Sequence, residues 1–461
     1  MEYIDQLAVQ IGGYFWNIVL MLGVFLGIYY GIRLRFVQLR MFPETLRLIH
    51  KQVTSKEKIG GVSGIQAFLV TLGGAIGTGS VAGVAMALIT GGPGVVVWLW
   101  VICILGGATS FAEHTLGQIY KTKEGDIFRG GPSYYMEKAL GKRWMGIFYA
   151  FVMIISLGFA LVGLQTNSIV EAVNGAVEVP RFAIALIIAL LIALIIFGGI
   201  KRIAEVAEKG VPIMAAVYVL MLIAVMVVRW QDVPSAFALI FREAFSARAV
   251  TGAGFTTIVI QGFKRGVFST GQGHGDAPTT NASAAVSHPI KQGLLGSVAI
   301  YTVCVMCTVT ALVIVLTGVY TGTDLVGMAL SQYAFVSVLG NWAAIVFALC
   351  MVMFCFTSIM ANYYCGETCL TYLSHTMRGR NLYRVIFIVI VFFGGIAEVQ
   401  LMWDIADVLL AVMIITNMIA LTLLGKQVAV TLKDYVRQKN EGKDPVFHAK
   451  DAGIENAECW E

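Results

Sequence analysis

Long apolar stretches recur along nearly the whole chain, and they restrict the possible folds more than any other feature of the sequence. A helix needs about 20 apolar residues to cross a bilayer. Measured against that length, the sequence predicts eleven transmembrane helices near residues 14–32, 65–90, 93–119, 144–172, 182–200, 211–229, 251–287, 293–319, 336–372, 383–397 and 402–424. We therefore expect an all-α polytopic membrane protein.

The composition excludes a water-soluble fold of this length. Of 461 residues, 58% are hydrophobic and 13% are charged, whereas soluble domains carry about 25% charged residues. The first apolar run is followed by Arg33, Arg35 and Arg40 rather than by a small-residue cleavage site, which favours a retained helix over a signal peptide. The amphipathic segment 234–247 is expected to be a surface helix rather than a span.

Lysine and arginine are distributed unequally between alternate loops. The loops on one side of the predicted spans, together with the C-terminal tail, carry 26 of them, and the opposite loops carry four. Because basic loops stay on the cytoplasmic side, we expect a prokaryotic inner-membrane protein with its N-terminus outside and its C-terminus in the cytoplasm. The net charge of +5 follows from these loops, so nucleic acid is not an expected partner. The tail after about residue 434 is expected to be mobile.

Two predicted spans contain glycine-rich interruptions, at Thr71–Ser80 and at Gly266–Pro278. Each glycine in a helix interior costs about 1 kcal/mol, so both segments are predicted to be unwound at membrane depth. Irregular backbone is tolerated there only where protein or a wet cavity satisfies its polar groups. Close helix packing through small residues is the alternative interpretation, but it does not account for the polar residues of the second run. We therefore expect a binding site at the breaks.

The two breaks occupy equivalent places in two sets of five spans. Because five is odd, the second set runs in the opposite direction, which is the inverted-repeat arrangement of many transporters. The predicted organisation is an N-terminal helix with a basic cytoplasmic loop at 1–64, a first five-helix repeat at 65–230, an external amphipathic linker at 231–249, a second inverted repeat at 250–424 and a charged cytoplasmic tail at 425–461.

Several long motifs resemble those of the alanine or glycine:cation symporter family. They are Gly77-Thr-Gly-Ser-Val-Ala-Gly-Val-Ala85, Gly91-Gly-Pro-Gly94, Arg129-Gly-Gly-Pro-Ser-Tyr-Tyr135, Lys264-Arg-Gly-Val-Phe-Ser269 and Ser287-His-Pro-Ile-Lys-Gln-Gly293. The resemblance extends from about residue 14 to 425. It implies the five-plus-five fold of the bacterial leucine transporter and sodium-coupled symport of a small neutral amino acid by alternating access.

The resemblance also implies a sodium site. The ion would lie between the carbonyls of Gly73 and Ile76 at the first break and the eighth core helix, where the carbonyl of Phe354 and the hydroxyls of Thr357 and Ser358 would complete the site. From the residues alone, the two hydroxyls could instead bond to the backbone of their own helix.

The substrate site implied by the resemblance joins both breaks. The substrate carboxylate would meet the backbone amides around Thr78 and Gly79, and Gln165 of the third core helix would contact the substrate. The other expected substrate-binding residues are Phe268, Ser269, Thr270, Gly271, Gln272, Asp276 and Asn362.

The identity of the amino acid stays open between two sizes. Asn362 stands where alanine and glycine carriers of the family place tryptophan, and the surrounding stretch 361–368 is similar to a branch that includes glutamine carriers. Asp276 could strengthen cation binding, pair with a cationic substrate or carry a coupling proton, or it could cap the half-helix that follows it. A neutral amino acid of the alanine or glycine type is favoured, with a glutamine-sized substrate as the alternative.

Other classes of function are disfavoured by the pattern of polar residues. Glu113, His114 and His274 form no catalytic constellation by their spacing, so we expect no enzyme and no cofactor apart from the co-transported ion, sodium or else a proton. Glu113 and His114 are expected to snorkel or cap at a helix end. A channel or a nutrient sensor remains a rival, and a monomer would suffice for transport.

Overall fold

The computed structural model describes residues 2–54, 62–245, 253–397 and 399–460, and 80% of these residues are helical. The α-helices in these ranges are α1 Glu2–Arg33, α2 Val37–Arg40, α3 Phe42–Thr54, α4 Gly64–Ala75, α5 Val84–Gly91, α6 Val95–Ile119, α7 Pro132–Lys138, α8 Arg143–Ile155, α9 Val162–Asn174, α10 Arg181–Ile196, α11 Gly199–Val228, α12 Val233–Ala244, α13 Ala253–Thr270, α14 Asp276–Asn281, α15 Pro289–Thr317, α16 Gly327–Leu339, α17 Trp342–Leu373, α18 Met377–Ile396, α19 Val399–Leu423 and α20 Gly425–Asn440.

The remaining regular elements are short. The four strands are β1 Val62–Ser63, β2 Thr122–Glu124, β3 Ile127–Arg129 and β4 Ala284–Ala285. Two π-helical turns, Gly79–Gly83 and Ser156–Leu161, and one 3₁₀ turn, Trp230–Asp232, complete the list. Parts of the predicted basic loop (55–61), of the linker (246–249) and of the start of the second repeat (250–252) lie outside the described residues.

The long helices have the dimensions and surface of membrane spans. Eight helices in the described ranges are long and apolar enough to cross a bilayer, and a bent pair at the first break makes a ninth. Two further apolar helices, α10 and α16, are shorter, with 16 and 13 residues. Large apolar side chains point outward, such as Leu190 and Leu194 on α10, which are 57% and 63% exposed. Such a surface is stable only against lipid.

Among the boundaries that differ from the sequence prediction, two lie at glycines. The predicted span 336–372 is divided at Gly340, which lies at φ +86° after α16, a conformation that ends helices. Helix α11 begins at Gly199, so the segment 201–209 that was expected to be a loop is helical. Bounds predicted from hydrophobicity alone are inaccurate here, because a helix such as α11 can include polar turns beyond its apolar stretch.

The first break lies between α4 and the π-helical turn. Helix α4 ends at Ala75, and the backbone of Ile76 is extended, with φ −81° and ψ 104°. The two halves of this span, Gly64–Ala75 and Gly79–Gly91, are bent by 47°. The interruption predicted within Thr71–Ser80 is therefore confirmed.

The second break lies between α13 and α14. Gly271, Gly273 and Gly275 have φ values of +68°, +74° and +86°, a region that residues with a Cβ atom rarely adopt. The chain re-enters a helix at Asp276. The interruption predicted within Gly266–Pro278 is likewise confirmed.

Both broken spans are tied together at one end of the bundle, which we call the basic end and define by β1, β4, the β2–β3 hairpin and the tail 441–460. Strands β1 and β4 pair in parallel and place Val62 opposite Ala284 and Ser63 opposite Ala285. Strand β1 directly precedes α4, and β4 follows α14 by two residues. The pair therefore joins the outer ends of the two half-helices.

The tail is packed at the basic end, so the expectation that it is mobile was wrong. Helix α20 continues to Asn440, and the amide of Phe447 then donates to the carbonyl of Ser287 at 2.9 Å. The indole of Trp460 donates to the carbonyl of Gln118 at 2.9 Å. Phe447 and Trp460 are 2% and 6% exposed. Apolar residues of the otherwise charged tail thus pack it against the helical bundle.

Candidate functional site

Gln165 of α9 is bound to the first break. Its Oε1 atom accepts from the backbone N of Thr78 at 2.9 Å and lies 2.8 Å from the Thr78 hydroxyl. A Cβ atom at Gly77 would lie 2.7 Å from the same amide oxygen, so the close approach requires glycine at that position. The glycines of the break therefore admit a polar side chain from a neighbouring helix to the unwound backbone.

The same amide continues to α17. Gln165 Nε2 donates to the Ser358 hydroxyl at 2.9 Å, and that hydroxyl donates to the carbonyl of Gly74 at 2.9 Å. All of the side chains in this chain of bonds are buried. The structure thus joins two residues expected to bind substrate, Thr78 and Gln165, to one expected to bind sodium, Ser358.

Oxygen atoms crowd around the hydroxyl of Thr357. The carbonyls of Phe354, Gly73 and Met353 lie 2.9, 3.1 and 3.1 Å from Thr357 Oγ1. A hydroxyl has one hydrogen, so it can satisfy only one of three acceptors. Two of the carbonyls belong to its own helix, as the alternative interpretation required, but the third comes from the first break. Such an excess of oxygen atoms suits a hard cation, which is bound by oxygen ligands.

Ile76, the remaining predicted sodium ligand, lies at the point where α4 ends. Its N–H still bonds to Leu72, but its extended ψ angle of 104° turns its carbonyl away from the helical direction. The carbonyls near the end of α4, including those of Gly73 and Ile76, therefore lack regular helical hydrogen-bond partners.

The aromatic side chain of Phe268, from the second broken span, lies against the first break. A Cβ atom at Gly79 would lie 2.9 Å from the ring of Phe268 and 3.3 Å from the Cα atom of Ser269. The ring centroids of Phe268 and Trp403 are 5.3 Å apart, and the guanidinium of Arg265 lies 4.7 Å from the Trp403 ring centroid. The residues predicted to close the site are therefore in contact with Gly79.

The other residues of the second break contact two different parts of the structure. The hydroxyl of Thr270 donates to Gly266 within α13 at 2.7 Å. A Cβ atom at Gly271 would lie 3.2 Å from the carboxylate of Asp276. Gln272 packs instead between α1 and α6, where a Cβ atom at Gly106 would lie 2.1 Å from its Oε1. The structure does not bring Gln272 to the cluster of Thr78 and Gln165.

Several polar side chains around the breaks have buried atoms without a hydrogen-bond partner among the described residues. Those on residues expected to bind substrate include Ser269 Oγ, Asp276 Oδ1 and Asn362 Nδ2, and Gln272 has two such atoms as well. Asn362 is 2% exposed and lies one turn beyond Ser358 on α17. One turn further, Cys365 contacts the carbonyl of Asp276 at 3.5 Å. Buried polar atoms without partners are costly, which is consistent with a site that a polar ligand completes.

Two groups of this site are not among the residues predicted from the sequence. The carbonyl of Gly74 accepts from Ser358, and the hydroxyl of Ser168 lies 2.8 Å from that of Thr78. Ser168 follows Gln165 by three residues and therefore shares its helix face, a signal that could have identified it. Nothing in the sequence distinguishes the carbonyl of Gly74 from that of Gly73.

Several charged residues away from the cluster form ion pairs. Lys264 forms an ion pair with Asp407, and Glu367 pairs with Arg384 at 3.3 Å. No group of three or more metal-binding side chains occurs among the residues that the structure describes. The expectation that Glu113 and His114 snorkel or cap at a helix end was wrong, because both are buried, with 0% and 1% exposure.

A bundle of apolar helices with two broken spans that meet at a buried polar cluster defines a secondary active transporter. The family model described as "Sodium:alanine symporter family" matches residues 1–449. The chain belongs to this family, so it is a membrane-spanning symporter and not an enzyme.

Two Bacillus subtilis relatives match almost the whole chain. The "Amino-acid carrier protein AlsT" is 38% identical over 450 residues, which are 97% of this chain and 96% of that protein. The protein named "Probable sodium/glutamine symporter GlnT" is 40% identical over 436 residues, 94% of this chain and 91% of that protein.

A solved structure shows the same fold at low sequence identity. The crystal structure of MhsT in complex with L-phenylalanine superposes with a TM-score of 0.57 at 15% identity, covering 86% of this chain and 94% of that one. The likeness places the chain among transporters of the leucine-transporter fold.

Proposed function

We propose that the protein imports a small neutral amino acid of the alanine or glycine type together with sodium, by alternating access. The observation that carries this proposal is the Gln165 side chain, which contacts Thr78 on one side and Ser358 on the other. One amide therefore connects the break that would bind the substrate to the hydroxyl that would bind the ion.

The substrate carboxylate is assigned to the backbone amides around Thr78 and Gly79, where the turn that opens a half-helix presents N–H groups to an anion. Gln165 contacts the substrate from α9, and Phe268 and Ser269 cover it. The rest of the assigned pocket consists of Thr270, Gly271, Asp276 and Asn362.

The sodium ion is assigned to the oxygen cluster between α4 and α17. Its ligands are the hydroxyls of Thr357 and Ser358 and the carbonyls of Gly73, Ile76 and Phe354. The position of Gly74, whose carbonyl bonds to Ser358 at 2.9 Å, supports adding that carbonyl to the set. Sodium holds the break in its substrate-binding geometry, so each ligand raises the affinity for the other.

The proposed architecture comprises eleven spans, namely one N-terminal helix followed by two inverted repeats of five. The proposed orientation, supported by the distribution of basic residues, has the N-terminus outside and the basic end in the cytoplasm of a bacterial cell. A single chain contains both breaks and is sufficient for transport.

The sodium gradient can drive substantial accumulation. Moving one charge through 100 mV yields about 2.3 kcal/mol, and a tenfold sodium gradient adds about 1.4 kcal/mol. Together they support roughly 500-fold accumulation of a zwitterion at one sodium per substrate.

A larger polar substrate such as glutamine is the second candidate, because Asn362 is buried with an unpaired amide nitrogen and a similar protein bears the name of a glutamine symporter. Coupling to protons is the alternative to sodium. A channel or a sensor of the same fold would differ in that neither would show saturable counterflow.

Uptake by purified protein in proteoliposomes tests the proposal. A panel of radiolabelled amino acids is offered under an imposed sodium gradient, an imposed proton gradient or neither. We expect saturable uptake of alanine or glycine that requires sodium. Uptake driven by a proton gradient without sodium, or flux without counterflow, would contradict it.

A further inference from the structure

Glu113 of α6 is a buried carboxylate that the proposed site does not use. It is 0% exposed. Its Oε1 atom accepts from the backbone N of Gly273 in the second break, and its Oε2 atom accepts from Asn417 Nδ2, each at 3.2 Å. Glu113 therefore holds the middle of the unwound segment to α6 and, through Asn417, to α19.

Neighbouring side chains complete a buried network around this part of the break. Asn417 Nδ2 also donates to the carbonyl of Gly273 at 2.9 Å, and Asn417 Oδ1 accepts from the hydroxyl of Tyr135. The hydroxyl of Tyr149 donates to the carbonyl of His274. Two consecutive break residues are thus fixed by side chains of three helices.

No positive charge balances Glu113 within the described ranges, since both of its hydrogen bonds come from neutral donors. The titratable groups that face it are Tyr30 of α1, Tyr135 of α7, Tyr149 of α8 and the acidic Asp276 of α14. The contrast with Glu367 is clear, because that buried carboxylate has Arg384 at 3.3 Å. An ionised carboxylate in such surroundings is costly, and a bound proton removes the cost.

Binding of a proton would also change the hydrogen bonds of the break. An ionised carboxylate only accepts, whereas a protonated one carries an O–H that must donate. The two N–H donors that face Glu113 suit the ionised form. A protonated oxygen is a weaker acceptor than a carboxylate oxygen, so a proton on Glu113 weakens its bond to Gly273 or to Asn417.

We propose that Glu113 is a proton-binding site that competes with the binding of sodium and amino acid. The two N–H donors that face Glu113 in the structure favour the ionised form, so protonation opposes this arrangement of the break. By reciprocal linkage, occupation of the amino-acid site releases the proton. This inference rests on the proposed symport and adds an exchanged proton to it.

Proton release on ligand binding tests the inference. Sodium chloride with L-alanine, and in a parallel titration with L-glutamine, is added to detergent-purified protein in weak buffer containing a pH indicator. We expect release of up to one proton per chain, and an affinity that weakens by up to about tenfold per pH unit on acidification. The variant E113Q should release none and bind with less than a twofold change across the same pH range.

The matched control is E367Q, which neutralises the paired carboxylate and should release protons as the unaltered protein does. Release by E113Q equal to that of the unaltered protein would overturn the inference. A second readout needs no variant: infrared difference spectra of the unaltered protein should lose a protonated-carboxyl band when ligands bind, and an unchanged spectrum would also overturn it. Sodium-driven uptake without proton release would overturn only this inference, whereas absence of sodium-driven uptake would refute the proposed function.

Discussion

The side-chain amide of Gln165 donates to the hydroxyl of Ser358 across 2.9 Å, and its oxygen faces Thr78. A single planar group thereby spans the gap between α17 and the first break. In the proposed site, a displacement of Ser358 on ion binding reaches Thr78 through this amide. This is a direct physical route for coupling ion and substrate.

Replacing Gln165 with Leu should weaken this coupling. The change keeps the volume but leaves the Thr78 N–H without its acceptor and removes the donor to the Ser358 hydroxyl. We expect the apparent affinities for sodium and for amino acid to fall together by about tenfold or more. In a double-mutant cycle, the effects of Gln165→Leu and Ser358→Ala on binding should be non-additive by about 0.5–3 kcal/mol.

Gln332 provides the control for this cycle. It is a buried glutamine whose Nε2 atom donates to the carbonyls of Ala172 and Ala344 at 3.0 and 3.1 Å, with no bond to either break. Gln332→Leu should be additive with Ser358→Ala. Equal coupling energies for both glutamines would rule out a special role for Gln165.

The broad architecture could be predicted from the sequence because the rules behind it act locally. Apolar length identifies spans, and clustered glycines identify breaks wherever they fall. The pairing of Thr357 with Gly73 was predicted only through family resemblance, since no local rule tells which helix lies opposite a hydroxyl.

The direction of individual side chains could not be predicted in the same way. Gln272 was assigned to the substrate site because it lies in the break, but the positive φ angles on either side of it turn it between α1 and α6. Glu113 was assigned to a helix end because its position along α6 is near the end. Its burial depends on α19 and on the second break, which are more than 150 residues away in sequence.

Replacing both Thr357 and Ser358 with Ala should abolish sodium-driven uptake. The double change removes the two hydroxyls of the oxygen cluster, and the remaining carbonyls cannot complete the coordination of a hard cation. Sodium dependence of uptake is the measurement. Thr371→Ala is the control, because that buried hydroxyl bonds only within its own helix, to Glu367 at 2.8 Å. Sodium dependence that survives the double change would mean that the ion binds elsewhere.

Replacing Gly79 with Leu should eliminate amino-acid binding at every sodium concentration. Even a Cβ atom there would lie 2.9 Å from the ring of Phe268, and a full side chain would occupy the space through which the backbone meets the carboxylate. Equilibrium binding to purified protein measures the effect. Gly13→Leu is the matched control, since a Cβ atom at Gly13 has nothing within 4 Å. Normal binding by the Gly79 variant would place the carboxylate elsewhere.

Acidification should destabilise the basic end through His288. Burial lowers the pKa of His288 to about 4 from 6.5, although Asp434 at 3.3 Å opposes the shift. Between these two pH values the unfolded chain binds the proton and the folded protein does not, so stability falls as the pH falls through this range. The loss is at most about 3 kcal/mol.

The melting temperature of His288→Asn should therefore depend less on pH than that of the unaltered protein between pH 7.5 and 4.5. Asparagine cannot titrate, but it can still accept the N–H of Ile290, which His288 Nδ1 accepts at 3.2 Å. The comparison concerns the slope with pH rather than the absolute melting temperature, since the aromatic contacts of His288 are also lost. Parallel curves would show that His288 does not titrate in this range.

Competition between amino acids should reveal a pocket larger than glycine needs. Asn362 is 2% exposed and has an unpaired amide nitrogen, so it can hydrogen-bond a polar substrate side chain that an indole at this position would exclude. A site built to pair such a group rejects analogues that lack it more strongly than an apolar pocket rejects a missing methylene. We expect glutamine and asparagine to compete with labelled alanine, and Asn362→Trp to abolish their competition while glycine and alanine still bind.

If glutamine and asparagine fail to compete with labelled alanine for the unaltered protein, while glycine does compete, the enlarged pocket is refuted. Competition by lysine or arginine alone would identify Asp276, whose Oδ1 atom is likewise unpaired, as the specificity residue, and the assignment of a neutral substrate would be wrong.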